Sequence, residues 1–138
     1  MADDYELALQ VAVRAALVAD LTLSGLIAGR IYDEPPDNVE FPFVRFGDFE
    51  PQPFDTGDTE GAEIIFGLEI HSRPEAGRVE ATQIAGACRR ALHRKQDTIA
   101  IVGFHLLELL WLTQTVGRKP DGKTYQGTLA FKATLDSL

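Results

Sequence analysis

The chain has 138 residues, 45% of them hydrophobic, and a formal net charge of −8, a length that supports one compact core and leaves little room for two. No run of about 18 uncharged apolar residues occurs, which excludes a bilayer-spanning helix, and the acidic start Met1-Ala2-Asp3-Asp4 predicts an unexported protein. One cysteine, Cys88, excludes an intramolecular disulfide and any multi-cysteine metal site.

Residues 4–18 read as a helix, because Tyr5, Leu9, Ala12, Val13, Ala16 and Leu17 recur at spacings of three and four while Glu6, Gln10 and Arg14 line the opposite stripe. Asp3 or Asp4 supplies its cap. Asp20 to Ala28 reads as a second short helical segment stopped by Gly29, and Arg30-Ile31-Tyr32 as a short strand ended by Pro35-Pro36. Phe41 to Phe49 is aromatic-rich and β-prone, with Pro42 assigned to the start of the strand or to a sheet edge. Four prolines and glycines among acids make Glu50 to Gly61 a predicted flexible loop.

Ala62 to Arg73 is the clearest strand: Ala62, Ile64, Phe66, Leu68 and Ile70 alternate with Glu63, Glu69, His71 and Arg73. Pro74-Glu75-Ala76-Gly77 then turns into a helix over residues 76–94 with the stripe Ala81, Ile84, Ala85, Cys88, Ala91 and Leu92, and with Arg89, Arg90 and Arg94 exposed near its C-terminal end. Gly103–Arg118 and Tyr125–Leu135 flank Lys119-Pro120-Asp121-Gly122-Lys123, a hairpin signal. The expected fold is α+β: a two-layer domain with a mostly antiparallel sheet of four to five strands and two main helices packed on one face. The whole of residues 1–138 forms a single domain in this reading.

The strand before the hairpin breaks the alternation, since Leu106, Leu107, Leu109, Leu110, Trp111 and Leu112 are apolar on both faces. Either it is a central strand covered twice by this chain, or its outer face buries against another subunit; with two substantial helices available, the second is the expectation.

Charge is localised. Residues 33–63 hold ten acids and one base, Arg45, for −9, whereas the other 107 residues carry eleven acids and twelve bases. Such an acidic insert on a near-neutral scaffold opposes generic duplex binding, which needs Lys and Arg at the phosphates. A solvated loop region is one reading of it, and a cation- or ligand-binding segment another, although Asp55-Thr56-Gly57-Asp58-Thr59-Glu60 lacks the EF-hand ligand order.

Catalytic patterns are missing from the sequence. His71, His93 and His105 are scattered with no HExxH and no Cys/His pairing at ligand spacing. Glu69 and His71 share a strand face and read as a surface salt link. Ser24, Ser72 and Ser137 lie outside any GxSxG motif, and no glycine-rich phosphate loop precedes a helix. The expectation is therefore a non-enzymatic protein with no cofactor and no metal.

The stretches "LSGLIAGRIYDEPP", "FPFVRFGD", "GLEIHSR", "ATQIAGACRRAL" and "DGKTYQGTLAFKA", in this order across residues 5–135, resemble the tail-completion, or tail terminator, family of long-tailed phages, prophages and gene transfer agents. His71 stands where this pattern more often carries an aromatic. The resemblance implies a virion structural protein, assembled in the bacterial cytoplasm, that caps the end of a tail tube as a homo-hexameric ring. Its implied partners are other copies of itself, the tail tube protein and a head–tail connector or stopper, with DNA passing through the channel without specific binding and no membrane contact. Six copies of residues 33–63 carry six times −9, or −54, a charge that facing a channel would keep DNA from sticking, whereas facing the tube or connector the insert would be a loop that orders on contact. The expected contact residues are Phe54, Asp55, Asp58 and Glu60 in the acidic loop, Leu107, Leu109 and Trp111 on the two-faced apolar strand, and Arg90 on the helix. The alternative functions are a small acidic ligand- or cation-binding module and a DNA-mimic inhibitor.

Overall fold

The structure, a computed structural model, describes residues 5–137 apart from 56, 58, 59, 74 and 76. The caps expected at Asp3 or Asp4, the turn residues Pro74 and Ala76, and Asp58 lie outside the described residues. Helix α1 (Tyr5–Ala19) buries Leu9, Ala12, Val13 and Leu17, the stripe its spacing predicts. Helix α2 (Leu21–Ile27) is capped by the Asp20 carboxylate, which accepts from the Leu23 N–H at 2.9 Å, and ends in left-handed backbone at Ala28 and Gly29. Helix α3 (Gly77–Leu92) buries Ala81, Ile84, Ala85, Ala87, Cys88 and Leu92.

Five strands, β1 (Ile31–Tyr32), β2 (Phe43–Pro53), β3 (Gly61–Ser72), β4 (Phe104–Arg118) and β5 (Tyr125–Ser137), form one sheet in the order β1-β2-β3-β5-β4. β1 pairs with β2 in parallel, and every other pair is antiparallel. The expected two-layer α+β architecture is thus present, with a third, short helix and a parallel strand at one margin. On the helix-facing side, Phe49, Phe66 and Phe131 stack across β2, β3 and β5 with ring centroids 5.4 Å apart and planes within 16° of parallel, a cross-strand ladder that pins the register.

β2 departs from the expectation of a flexible loop from residue 50. It continues to Pro53, and Glu50 to Pro53 pair with Ile65 to Ala62. The prolines are tolerated because Phe54 turns its N–H inward to Gly61 O at 3.0 Å, so alternate residues Pro51 and Pro53 face the sheet edge, where no N–H is needed. The connecting loop is then only residues 54–60. Gly61 is held between two carbonyls: a Cβ there would lie 2.5 Å from both Leu135 O and Phe54 O.

β4 is an edge strand, which rules out a central one. Two register shifts, at Leu106/Glu108 and Trp111/Thr113, change which parity faces the helices, so the strand looks apolar on both faces although a single helix-facing row runs through Leu106, Leu109 and Trp111. Its outer edge is tied to α3: Arg94 N–H donates to Leu109 O at 2.8 Å, Trp111 N–H to His93 Nδ1 at 3.0 Å, and the Arg78 guanidinium to Val116 O at 2.7 Å. The rise of α3 from Arg78 to His93, about 22 Å, matches the length of strand between Val116 and Leu109. Helix and strand therefore run side by side.

Candidate functional site

Helices cover one face of the sheet, and the other is open. That open face carries Arg45, Glu50, Glu63, Ile65, Glu69, Glu108, Leu110 and Lys132 by register. Its bases are held by acids: Lys132 reaches Glu63 at 3.9 Å and Glu108 at 3.8 Å, and Arg45 reaches Glu34 at 3.9 Å. An open-sided groove of about 260 Å³ crosses it between Gly47, Asp48, Gly67, Glu69 and Thr128, below the size of an ordinary small-molecule site.

At one end of this face His71 is buried although it belongs to the polar row. Its ring stacks on Phe43 at 4.7 Å, Nε2 donates to Glu69 Oε1 at 3.1 Å, and Nδ1 accepts from Lys119 Nζ at 3.5 Å. The contact with Glu69 is therefore one part of a packed cluster, beyond the surface link that sequence spacing suggests. Burial pushes the His71 pKa below 6.5, against the pull of Glu69 and with the help of nearby Lys119 and Arg45. On the opposite, helix-covered side of the sheet, Tyr5 packs on Phe104 with ring centroids 4.8 Å apart and planes tilted by 40°, and lines a recess with Pro51, Pro53, Asp55 and Glu60. Burial, then the charges of Glu60 and Asp55, raise the Tyr5 pKa.

The residues singled out in the sequence fall in three places. Phe54, Asp55 and Glu60 lie at the β2–β3 tip, all exposed, braced by Ser137 N–H donating to Glu60 O at 2.9 Å and Gly61 N–H donating to the Asp55 carboxylate at 3.4 Å. On β4, Leu107 is 46% exposed at a register shift, whereas Leu109 is fully buried in the chain's own core. This corrects the expectation that Leu109 presents a contact surface: its parity, set by the first shift, points it under α3. Trp111 is half-buried, with Arg89 over its ring at 5.6 Å and its indole N–H unpaired among the described residues. Arg90 packs over Gly86 beside Thr22 and Leu26, on the α2 side of α3 and away from β4.

Sequence reasoning missed a second apolar patch. Leu7, Val11 and Val18 of α1 are 42–60% exposed, and Val102 beside Leu7 and Val11 is 91% exposed. Their spacing of four and seven was legible as a second helical stripe. Cys88 is buried, with its thiol pKa pushed up to about 12 by desolvation, which makes it a core residue rather than a nucleophile. Among the described residues no group of three or more His, Cys, Asp or Glu converges as a metal site.

The open sheet face, the exposed hairpin tip and the apolar patches are surfaces suited to contact with other proteins. The model of the family described as "Tail completion protein gp17" matches residues 11–136. The chain belongs to that family. This makes the tail-completion chain a structural protein of phage-type tails. Among solved structures, a chain from the virion of a native gene transfer agent particle is similar to it with a TM-score of 0.86 and 25% identity, over 96% of this chain and 99% of that one. No curated protein matches the sequence.

Proposed function

We propose that this tail-completion protein caps the end of a phage-like tail tube as a homo-hexameric ring. The ring ends tube polymerisation and forms the joint to the head connector or stopper. The observation that carries this reading is the near full-length likeness to a chain of a gene transfer agent virion, together with family membership. The protein acts by surface complementarity and needs no active site or cofactor; it assembles in the bacterial cytoplasm and resides in the tail of the particle.

The one-sided sheet supports a definite orientation. Its open face turns to the channel, where Glu50, Glu63, Glu69 and Glu108 outnumber Arg45 and Lys132, and the bases are already paired with acids. Repeated around a ring, that surface repels phosphates and lets DNA pass without adhering. The β2–β3 tip, with Phe54 exposed among acids, contacts a neighbouring ring. Adding the protein to polymerising tube subunits tests the reading: mean tube length falls as the ratio of cap to subunit rises. Unchanged tube lengths at every ratio would overturn it.

A further inference from the structure

A ring closed by head-to-tail contacts needs two different surfaces on each subunit, each fitting the other. The lateral margins of this sheet differ in that way. On the β1–β2 side, residues 30–53 hold six acids against two bases. The six, Asp33, Glu34, Asp37, Glu40, Asp48 and Glu50, are all exposed, whereas Arg30 and Arg45 are half-buried. On the β4–α3 side, residues 78–123 hold eight bases against four acids, and seven of the bases remain when Arg90, which faces α2, is set aside. Arg78, Arg94, Lys95, Arg118 and Lys123 are exposed there, and none of the eight bases forms an ion pair among the described residues.

Neither margin invites strand addition. β1 covers β2 only at Val44 and Arg45, and beyond that the edge is broken by a register shift and by Pro51 and Pro53. The β4 edge is tied to α3 at Leu109, Trp111 and Val116. Both features block ladder pairing between chains, so neighbours meet through side chains. On the basic side those include Leu107 and Leu112, each more than 40% exposed.

We propose that the acidic β1–β2 margin of one copy docks on the basic β4–α3 margin of the next. The inference rests on the ring reading above and names its surfaces. Opposite charge steers the encounter and fixes its polarity, and the apolar residues of β4 supply contact area. Like margins repel, so a back-to-back pair is disfavoured and head-to-tail association is favoured.

The test uses three full-length variants and the wild type, compared by sedimentation across a concentration series in low and high salt, with thermal melts confirming that each is folded. The first variant reverses the basic margin (Arg94→Glu, Lys95→Glu, Lys123→Glu). The second reverses the acidic margin (Asp33→Lys, Asp37→Lys, Asp48→Lys), and the third combines both sets. Expected is wild-type association weakened by salt, a loss of about tenfold or more in association constant for either single-margin variant, and recovery when the two single-margin variants are mixed or both sets are combined. Wild-type association that neither reversal changes overturns the pairing of margins while the ring reading stands. A wild type that never associates, even with tube ends present, overturns the ring reading and this inference with it.

Discussion

Replacing Gly61 by alanine tests the geometry of the β2–β3 tip. The added Cβ would meet two backbone carbonyl oxygens, of Leu135 and Phe54, at 2.5 Å, and neither can move without opening the base of the hairpin. Relief of that overlap costs about 1–3 kcal/mol as overpacking. It also weakens two hydrogen bonds, Phe54 N–H to Gly61 O and Ser137 N–H to Glu60 O, each contributing about 0.5–1.5 kcal/mol. Because relaxation trades one cost against the other, the expected loss is about 2–4 kcal/mol. With about 2.1 cal/mol/K of unfolding entropy per residue, this lowers Tm by about 7–14 °C. Thermal and urea unfolding followed by circular dichroism measures it. Gly25→Ala is the control: it sits in helix α2 with nothing within 4 Å of its Cβ position and should leave stability equal or raise it slightly. A Gly61→Ala melt indistinguishable from wild type would refute the packing argument.

Three further outcomes follow from the same geometry. Phe54→Ser, at an exposed position, should change stability by less than about 0.5 kcal/mol yet weaken tube-end binding by about 2 kcal/mol, roughly thirtyfold; unchanged pelleting with tubes would remove the tip from the contact. Folded His71 has a pKa below 6.5, so the unfolded chain takes up the proton first as the solution is acidified. Stability from this site is complete above pH 6.5 and is lost as pH falls from there through the folded pKa; His71→Phe should flatten that acid slope, and an identical slope in both proteins would contradict the assignment. Cys88, with its thiol at about 12, should react with a thiol reagent at neutral pH only at the rate of unfolding, which rapid labelling of the native protein would disprove.

Local pattern carried much of the fold. The alternation from Ala62 to Ile70 and the stripe from Ala81 to Leu92 each depend only on which side of one element meets the core, and both appear in the structure as spaced. What escaped depends on neighbours. Pro51 and Pro53 look like loop residues until β3 fixes that their nitrogens face outward. Leu109 looks like surface until the register shift at Leu106/Glu108 sets its parity. His71 reads as solvated until Phe43 and Lys119 close over it. The contact residues were legible as types, an aromatic in an acidic loop and leucines on an edge strand. Their division between a hairpin tip, a sheet margin and the flank of α3 was not, because strand order lies outside any local window.

Electron microscopy of tube ends decides whether this tail-completion protein closes a tube as the proposed ring. Tubes assembled with the protein should carry one extra ring of sixfold symmetry at a single end, with the open sheet face and its glutamates toward the channel. Bare ends, or the protein bound along the tube wall, would contradict the account.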